Sequence, residues 1–295
     1  MPRFDFTARD RDGKLKNYGY LDMENQADGP ATMTFYGDIV ATESWPEDRA
    51  PQQIADFLAS LTQGQQINLY FNSPGGDAYA GVAMHNILSR WQGRKVAYVD
   101  AIAASAATMP LMACDEIHLA AGAEVMIHDP WAWTAGNAAE LREAAARLDK
   151  VGDHYADIYA THAAEGMTRD QLREAMRAET WLDGSNIGQY FDVIVDDTAA
   201  AAPAASASYA RYKATPPALL KMADATRQAQ EAAESATAKR AEINTADAAK
   251  AAQAQQSRAQ ALLADLYLYG FQFTPLREGR PGIQLQGSAQ EFISI

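Results

Sequence analysis

The chain has 295 residues, a formal net charge of −13 and a pI of about 4.8. The length suits one large domain with an appendage, or two modest domains. The acidic balance excludes a basic surface for tracking phosphates, so no nucleic-acid partner is expected. No run of eighteen apolar residues is available for a membrane-spanning helix, and Met1-Pro2-Arg3-Phe4-Asp5-Phe6 lacks the pattern of a signal peptide. A cytoplasmic protein without membrane attachment is expected. No Walker-type Gly-Lys-Ser/Thr loop occurs, so no ATPase activity of its own is expected. Cys114 is the single cysteine; it has no internal disulfide partner and lies in an apolar stretch that reads as core.

Residues 1–30 are polar and turn-rich and read as an arm or short hairpin. From Thr32 the texture changes. Thr32–Gly37 is strand-like, and Ile54, Phe57, Leu58 and Leu61 recur at helical spacing. Ile67–Phe71 is a strand that runs into Asn72-Ser73-Pro74-Gly75-Gly76-Asp77. Tyr79–Trp91 is helical, Val96–Val99 a buried strand, and Ser105–Met112 a helix. Glu116–Leu119 and Val125–His128 are two further strands. Strands alternating with helices predict an α/β architecture with a mainly parallel sheet.

A long amphipathic helix follows over about Asn137–His162, with Leu141, Leu148, Val151, Tyr155, Ile158 and Tyr159 on one stripe and Glu143 and Arg147 one turn apart. Thr168-Arg169-Asp170-Gln171 is a capping box for the next helix, and Val193–Val195 reads as a last strand. Beyond Asp197 the composition shifts. Residues 199–215 are rich in Ala and Ser and read as a linker. Residues 216–268 are rich in Ala, Gln, Glu and Lys with few large apolar residues, predicting one or two long exposed helices, or a coil that orders against a partner, with too thin a face for a core of their own, and residues 270–295 hold short apolar pieces and a Pro/Gly-rich stretch.

Three features share one chemistry. Serine is a poor nucleophile until a base takes its proton. Ser105 sits among small residues, Ala104 and Ala106, that let a substrate backbone approach. His128 ends an apolar strand and can serve as that base. The N–H groups of Gly76 and Ala106 can meet a developing oxyanion, a contribution of about a hundred- to a thousand-fold in rate per donor. The order and spacing suggest a serine peptidase. Gly-x-Ser-x-Gly is absent around Ser105, so an α/β-hydrolase elbow is excluded. Asp129, Glu179 and Asp183 are candidates to orient the imidazole. Asp129 adjoins His128 and would face the opposite side of a strand, Asp183 reads as a helix N-cap, and Glu179 is preferred. His85 and His118 read as structural. His154 and His162 lack a carboxylate pattern that would make them metal ligands, so no cofactor or metal is expected.

These residues carry a family resemblance. Asn72–Gly76 with Gly81, then Ala104-Ser105-Ala106, then Met126-Ile127-His128-Asp129-Pro130, then Glu179-Thr180-Trp181-Leu182, resemble the proteolytic subunit of the Clp protease, ClpP, over roughly residues 32–197. The Asp129-Pro130-Trp131 continuation and Glu179-Thr180-Trp181-Leu182 are most similar to the head maturation proteases of tailed phages and prophages. The resemblance implies a crotonase/ClpP-like α/β fold. It casts Ser105 as nucleophile, His128 as base, Glu179 where the housekeeping enzyme has Asp, and Gly76 and Ala106 as the oxyanion hole. It implies a substrate strand beside the segment after Gly76 and a helix from Asn137 that acts as a ring-to-ring handle. A homo-oligomeric ring, heptameric or doubled, is therefore expected.

The domains expected are an arm (1–30), a ClpP-like protease domain (31–198), a linker (199–215) and a helical, scaffold-like region (216–295). Phe191 stands where the family usually has Gly. The N-terminal arm does not resemble loops that dock an unfoldase. The activity implied is an ATP-independent serine endopeptidase acting on phage coat or scaffold proteins in the assembling prohead, its own tail being a further candidate substrate. The alternative is an inactive ring that serves as a scaffold. A crotonase-type acyl-CoA enzyme is disfavoured by the Met-Ile-His motif. A Ser/Lys peptidase is disfavoured because Lys95 lies at the start of a strand.

Overall fold

Alternate positions of β3 (Ala31–Gly37) are buried, as expected of a strand with one face on a core. In the computed structural model, which describes residues 3–9, 15–26, 29–39, 50–268, 272–275 and 281–284, this strand joins two halves of one sheet. On one side β1 (Arg3–Arg9) and β2 (Leu15–Glu24) form an antiparallel hairpin, and β2 pairs with β3. On the other side β4 (Ile67–Ser73), β5 (Lys95–Ala104), β6 (Glu116–Ala121) and β9 (Ile194–Ala199) run parallel to β3. The order is β1-β2-β3-β4-β5-β6-β9. A branch leaves the far end of β5, where β7 (Glu124–Ile127) pairs in parallel with it and antiparallel with β8 (Thr180–Leu182). The N-terminal residues expected to form an arm are thus partly built into the sheet.

The helices follow the apolar spacing. They are α1 (Ala50–Ser60), α2 (Ala78–Ser89), α3 (Thr108–Leu111), α4 (Ala138–Ala160) and α5 (Arg169–Ala178). Asn137 and Glu140 close a capping box on α4, and Thr168 and Gln171 close one on α5. The predicted helix from Ser105 is divided. Ser105–Ala107 is a tight 3-10 turn, and α3 is one turn long. The core runs between sheet and helices. Phe35 and Phe71 stack at 5.0 Å, and Phe191, where a glycine was expected, is buried against Tyr159 at 5.6 Å.

Two compact units divide the chain at Gln228. The first includes residues 199–215, expected to be a linker. This segment is tied to the α/β body, with Tyr209 fully buried among Ile102, Ala104 and Met126. Tyr212, Leu219 and Ala223 complete that cluster. The alanine-rich composition concealed it because a few aromatic residues suffice when the neighbours are small. The second unit holds most of α6 (Pro217–Leu268) and a hairpin of β10 (Gln272–Pro275) and β11 (Pro281–Gln284). The described side chains of 229–261 are exposed, as their composition predicts.

One buried hydrogen-bond chain fixes the tight turn. Thr108 Oγ1 donates to the Ser105 carbonyl at 2.5 Å, so the Tyr159 hydroxyl, 2.6 Å away, donates to Thr108. Thr108→Val removes the acceptor for a buried phenol and is expected to destabilise the chain by about 1–3 kcal/mol. A thermal melt beside the parent protein checks this, and an unchanged melting temperature would refute it.

Candidate active site

All three parts of the centre emerge from the carboxyl ends of parallel strands, where open α/β sheets place their sites. Ser73 pairs with Ala103 and Ala104 with Met126. Extending these registers sets Gly75 beside Ser105 and brings the residue after β7, His128, alongside Ala106. Ser105 Oγ lies 2.7 Å from His128 Nε2. That distance permits direct proton transfer from hydroxyl to imidazole.

Ser105 has φ 54°, a left-handed conformation uncommon for a residue with a side chain. Such strain costs of order 1–3 kcal/mol and persists only where neighbours enforce it. Here they do. Ala106 and Ala107 are fully buried, and Gly81 of α2 lies so close that an added Cβ would stand 2.7 Å from the Ala106 carbonyl. Gly75, at φ 92°, leaves no space either: a Cβ there would meet the Ala104 carbonyl and stand 2.7 Å from Ser105 Cβ.

The Gly76 edge is oriented by its pairing. Ile39 N–H donates to the Gly75 carbonyl at 2.7 Å, and Asp77 N–H donates to the Ile39 carbonyl at 2.8 Å. In this parallel bridge Ile39 uses both backbone groups, so those of Gly76 face the other way. Gly76 is exposed at the cleft and its N–H has no hydrogen-bond acceptor among the described residues. α2 begins at Ala78 with Asp77 as its cap, so the free edge after Gly76 is short. The cleft, about 590 Å³, is lined by Ser105, His128 and Gly76, by Tyr79 and by Trp131 and Trp133.

His128 is buried, and burial lowers its pKa below the ordinary 6.5, with the charges of Glu179 and Asp129 opposing. Asp129 is turned from the imidazole: its carboxylate is paired with Arg173, which also donates to Asp153 at 3.2 Å. Glu179 ends α5 in a left-handed conformation, φ 55°. Its carboxylate accepts the backbone N–H groups of Lys213 and Ala214 at 2.8 and 2.5 Å and makes no hydrogen bond to His128. The Asp183 carboxylate accepts from Ser185 N–H at 2.8 Å, and Asp183 N–H donates to Asn186 Oδ1 at 2.8 Å. Lys95 is bonded to the carbonyls of Trp91 and Gly93, about 30 Å of strand from Ser105. His118 lies between Glu116 and Asp196. Among the described residues no group of three or more His, Cys, Asp and Glu is placed to hold a metal ion.

Sequence reasoning missed Tyr212, whose ring meets that of His128 edge-on at 5.2 Å and whose hydroxyl donates to the Pro74 carbonyl. It also missed Asp38, which accepts from Ser206 and Ser208 at 2.6 Å each. The available signal was Tyr209 and Tyr212, three residues apart in an otherwise bland stretch.

The fold and this centre define an α/β protein with a serine–histidine pair at the carboxyl ends of parallel strands. The sequence model of the Clp protease family matches residues 32–196. The chain belongs to that family, and its fold is ClpP-like. It is similar to the ATP-dependent Clp protease proteolytic subunit of Bacteroides fragilis, 26% identical over 136 residues, covering 45% of this chain and 65% of that subunit. It is also similar to proteolytic subunit 1 of Streptomyces coelicolor, 30% identical over 147 residues, covering 49% of this chain and 65% of that subunit. The chain thus spans just under two thirds of these relatives. A solved ClpP1 mutant from Listeria monocytogenes aligns with a TM-score of 0.46 at 19% identity, over 56% of this chain and 91% of that one.

Only neutral imidazole can accept the serine proton, and burial disfavours the charged ring. The rate at which a fluorophosphonate phosphonylates Ser105, with loss of fluoride, is therefore expected to rise with pH to a plateau with its midpoint below 6.5. A midpoint above 6.5 would show that the carboxylates outweigh burial.

Proposed function

We propose that the chain is a serine endopeptidase in which Ser105 attacks the peptide carbonyl and His128 takes its proton, returning it to the leaving amine. Gly76 and Ala106 N–H groups would hold the oxyanion, and the negative charge of Glu179 would stabilise the imidazolium. The observation that carries this reading is the 2.7 Å Ser105–His128 contact at a serine held in a left-handed turn. Substrate would lie extended in the cleft beside Gly76, with Trp131 and Trp133 offering apolar contact.

The substrates proposed are phage coat or scaffold proteins, cleaved without an ATPase. Support comes from the Asp129-Pro130-Trp131 and Glu179-Thr180-Trp181-Leu182 motifs and from the long polar helix α6, whose composition suits a segment that recruits the chain to an assembling shell. A ring of copies is proposed through the exposed first turns of α4, where Leu141 is 43% exposed. The second reading, an inactive scaffold ring, is favoured by one observation: both Glu179 oxygens are engaged by backbone and none is bonded to His128.

Purified protein and Ser105→Ala, each incubated with a tailed-phage coat protein and followed by intact mass, separate the two. Ser105-dependent cleavage of the coat protein or of the tail is expected. Unchanged masses, together with no fluorophosphonate labelling of the parent, would leave the scaffold reading standing. Absence of coat cleavage with labelling intact would refute only the substrate.

A further inference from the structure

We propose that residues 202–215, beyond the part of the chain that matches the family, are a positioning element of the active site, holding the Glu179 carboxylate beside His128 and walling the cleft with Tyr212. This rests on the peptidase reading of the same centre. Glu179 is 9% exposed, and a carboxylate so placed requires donors. Its two donors are the N–H groups of Lys213 and Ala214. A carboxylate has about four acceptor sites, so these bonds leave capacity toward the imidazole while fixing where the charge stands. That charge acts on His128, opposing the effect of burial.

The remaining anchors all land on supports of the centre. Asn72, four residues before Gly76, donates to the Ala202 carbonyl at 2.9 Å and accepts from Ala204 N–H at 2.7 Å. Asp38, bound by Ser206 and Ser208, precedes the Ile39 that orients Gly76. Tyr212 bonds the Pro74 carbonyl, one residue before the glycine pair, and packs its ring against His128. A segment that blocked the centre would separate Ser105 from His128 or fill the cleft. Here the pair is in contact although the Tyr212 hydroxyl also lies beside Ser105, and the cleft remains open next to Tyr212.

Proline at 213 lacks the N–H that Glu179 accepts. Tyr212, at φ −85° and ψ 144°, already has the extended backbone that a following proline requires. In the full-length chain, Lys213→Pro is compared with Lys213→Ala, which also removes the charge but keeps the N–H. Two readouts are taken: the rate of Ser105 labelling by a fluorophosphonate, and the His128 pKa from NMR titration of its ring. Lys213→Pro is expected to label about tenfold more slowly than Lys213→Ala, and its His128 is expected to titrate lower, because a displaced carboxylate no longer favours the charged ring.

Equal or faster labelling with an unchanged pKa would overturn the proposal, faster labelling by assigning the segment a blocking role. If the parent chain does not label at all, the peptidase reading fails, while the His128 titration still decides the positioning. The double variant Ser206→Ala/Ser208→Ala leaves every backbone donor in place and frees the segment from Asp38. It is expected to shift both readouts in the same directions, and parental values in it would also count against the proposal.

Discussion

The centre depends on one close approach of backbones. Ser105 is held in a left-handed turn because Gly75 presses on it from the end of β4 and Gly81 admits the Ala106 carbonyl from α2. Neither neighbour has space for a methyl group. The same crowding brings the carboxyl ends of β4, β5 and β7 together, so the glycine edge, the serine and the histidine arrive at one point without any long side chain reaching for another. The strain in the turn is sustained by a rigid surround: fully buried alanines, a threonine–tyrosine hydrogen bond and a core of stacked phenylalanines.

Electrostatics at the centre are a balance between burial and the Lys213 charge on one side and two carboxylates on the other. Burial prevails at His128 and keeps it ready to accept a proton. Arg173 holds Asp129 in an ion pair away from the ring, and the amides of Lys213 and Ala214 hold Glu179. The family domain therefore does not contain all the groups that set its own electrostatics. The segment that follows it supplies the donors for one carboxylate and the aromatic wall beside His128.

Much of this was legible in the chain. Period-two and helical patterns located the principal strands and helices, and turn residues marked the Pro-Gly-Gly corner. The Ser105 and His128 motifs were visible as unlike residues in apolar surroundings. The strand β7 was expected, but its pairing with β8 was not, because three-residue strands such as Thr180–Leu182 carry no periodicity of their own. Nor was the pairing of the β1–β2 hairpin to β3 through β2, which depends on contacts between segments whose local composition is that of turns.

The sequence by itself singled out Ser105 and His128 as unlike residues in apolar surroundings, and determined which faces would be buried and that the distal helix would have no core of its own, since side-chain type and spacing are local properties. Only the tertiary structure decided that Gly76 faces its N–H into the cleft, that Asp129 turns to Arg173, and that an alanine- and serine-rich stretch returns to hold Glu179. Each of those is set by a hydrogen-bond or packing partner between 34 and 44 residues away along the chain, a separation that no local pattern encodes.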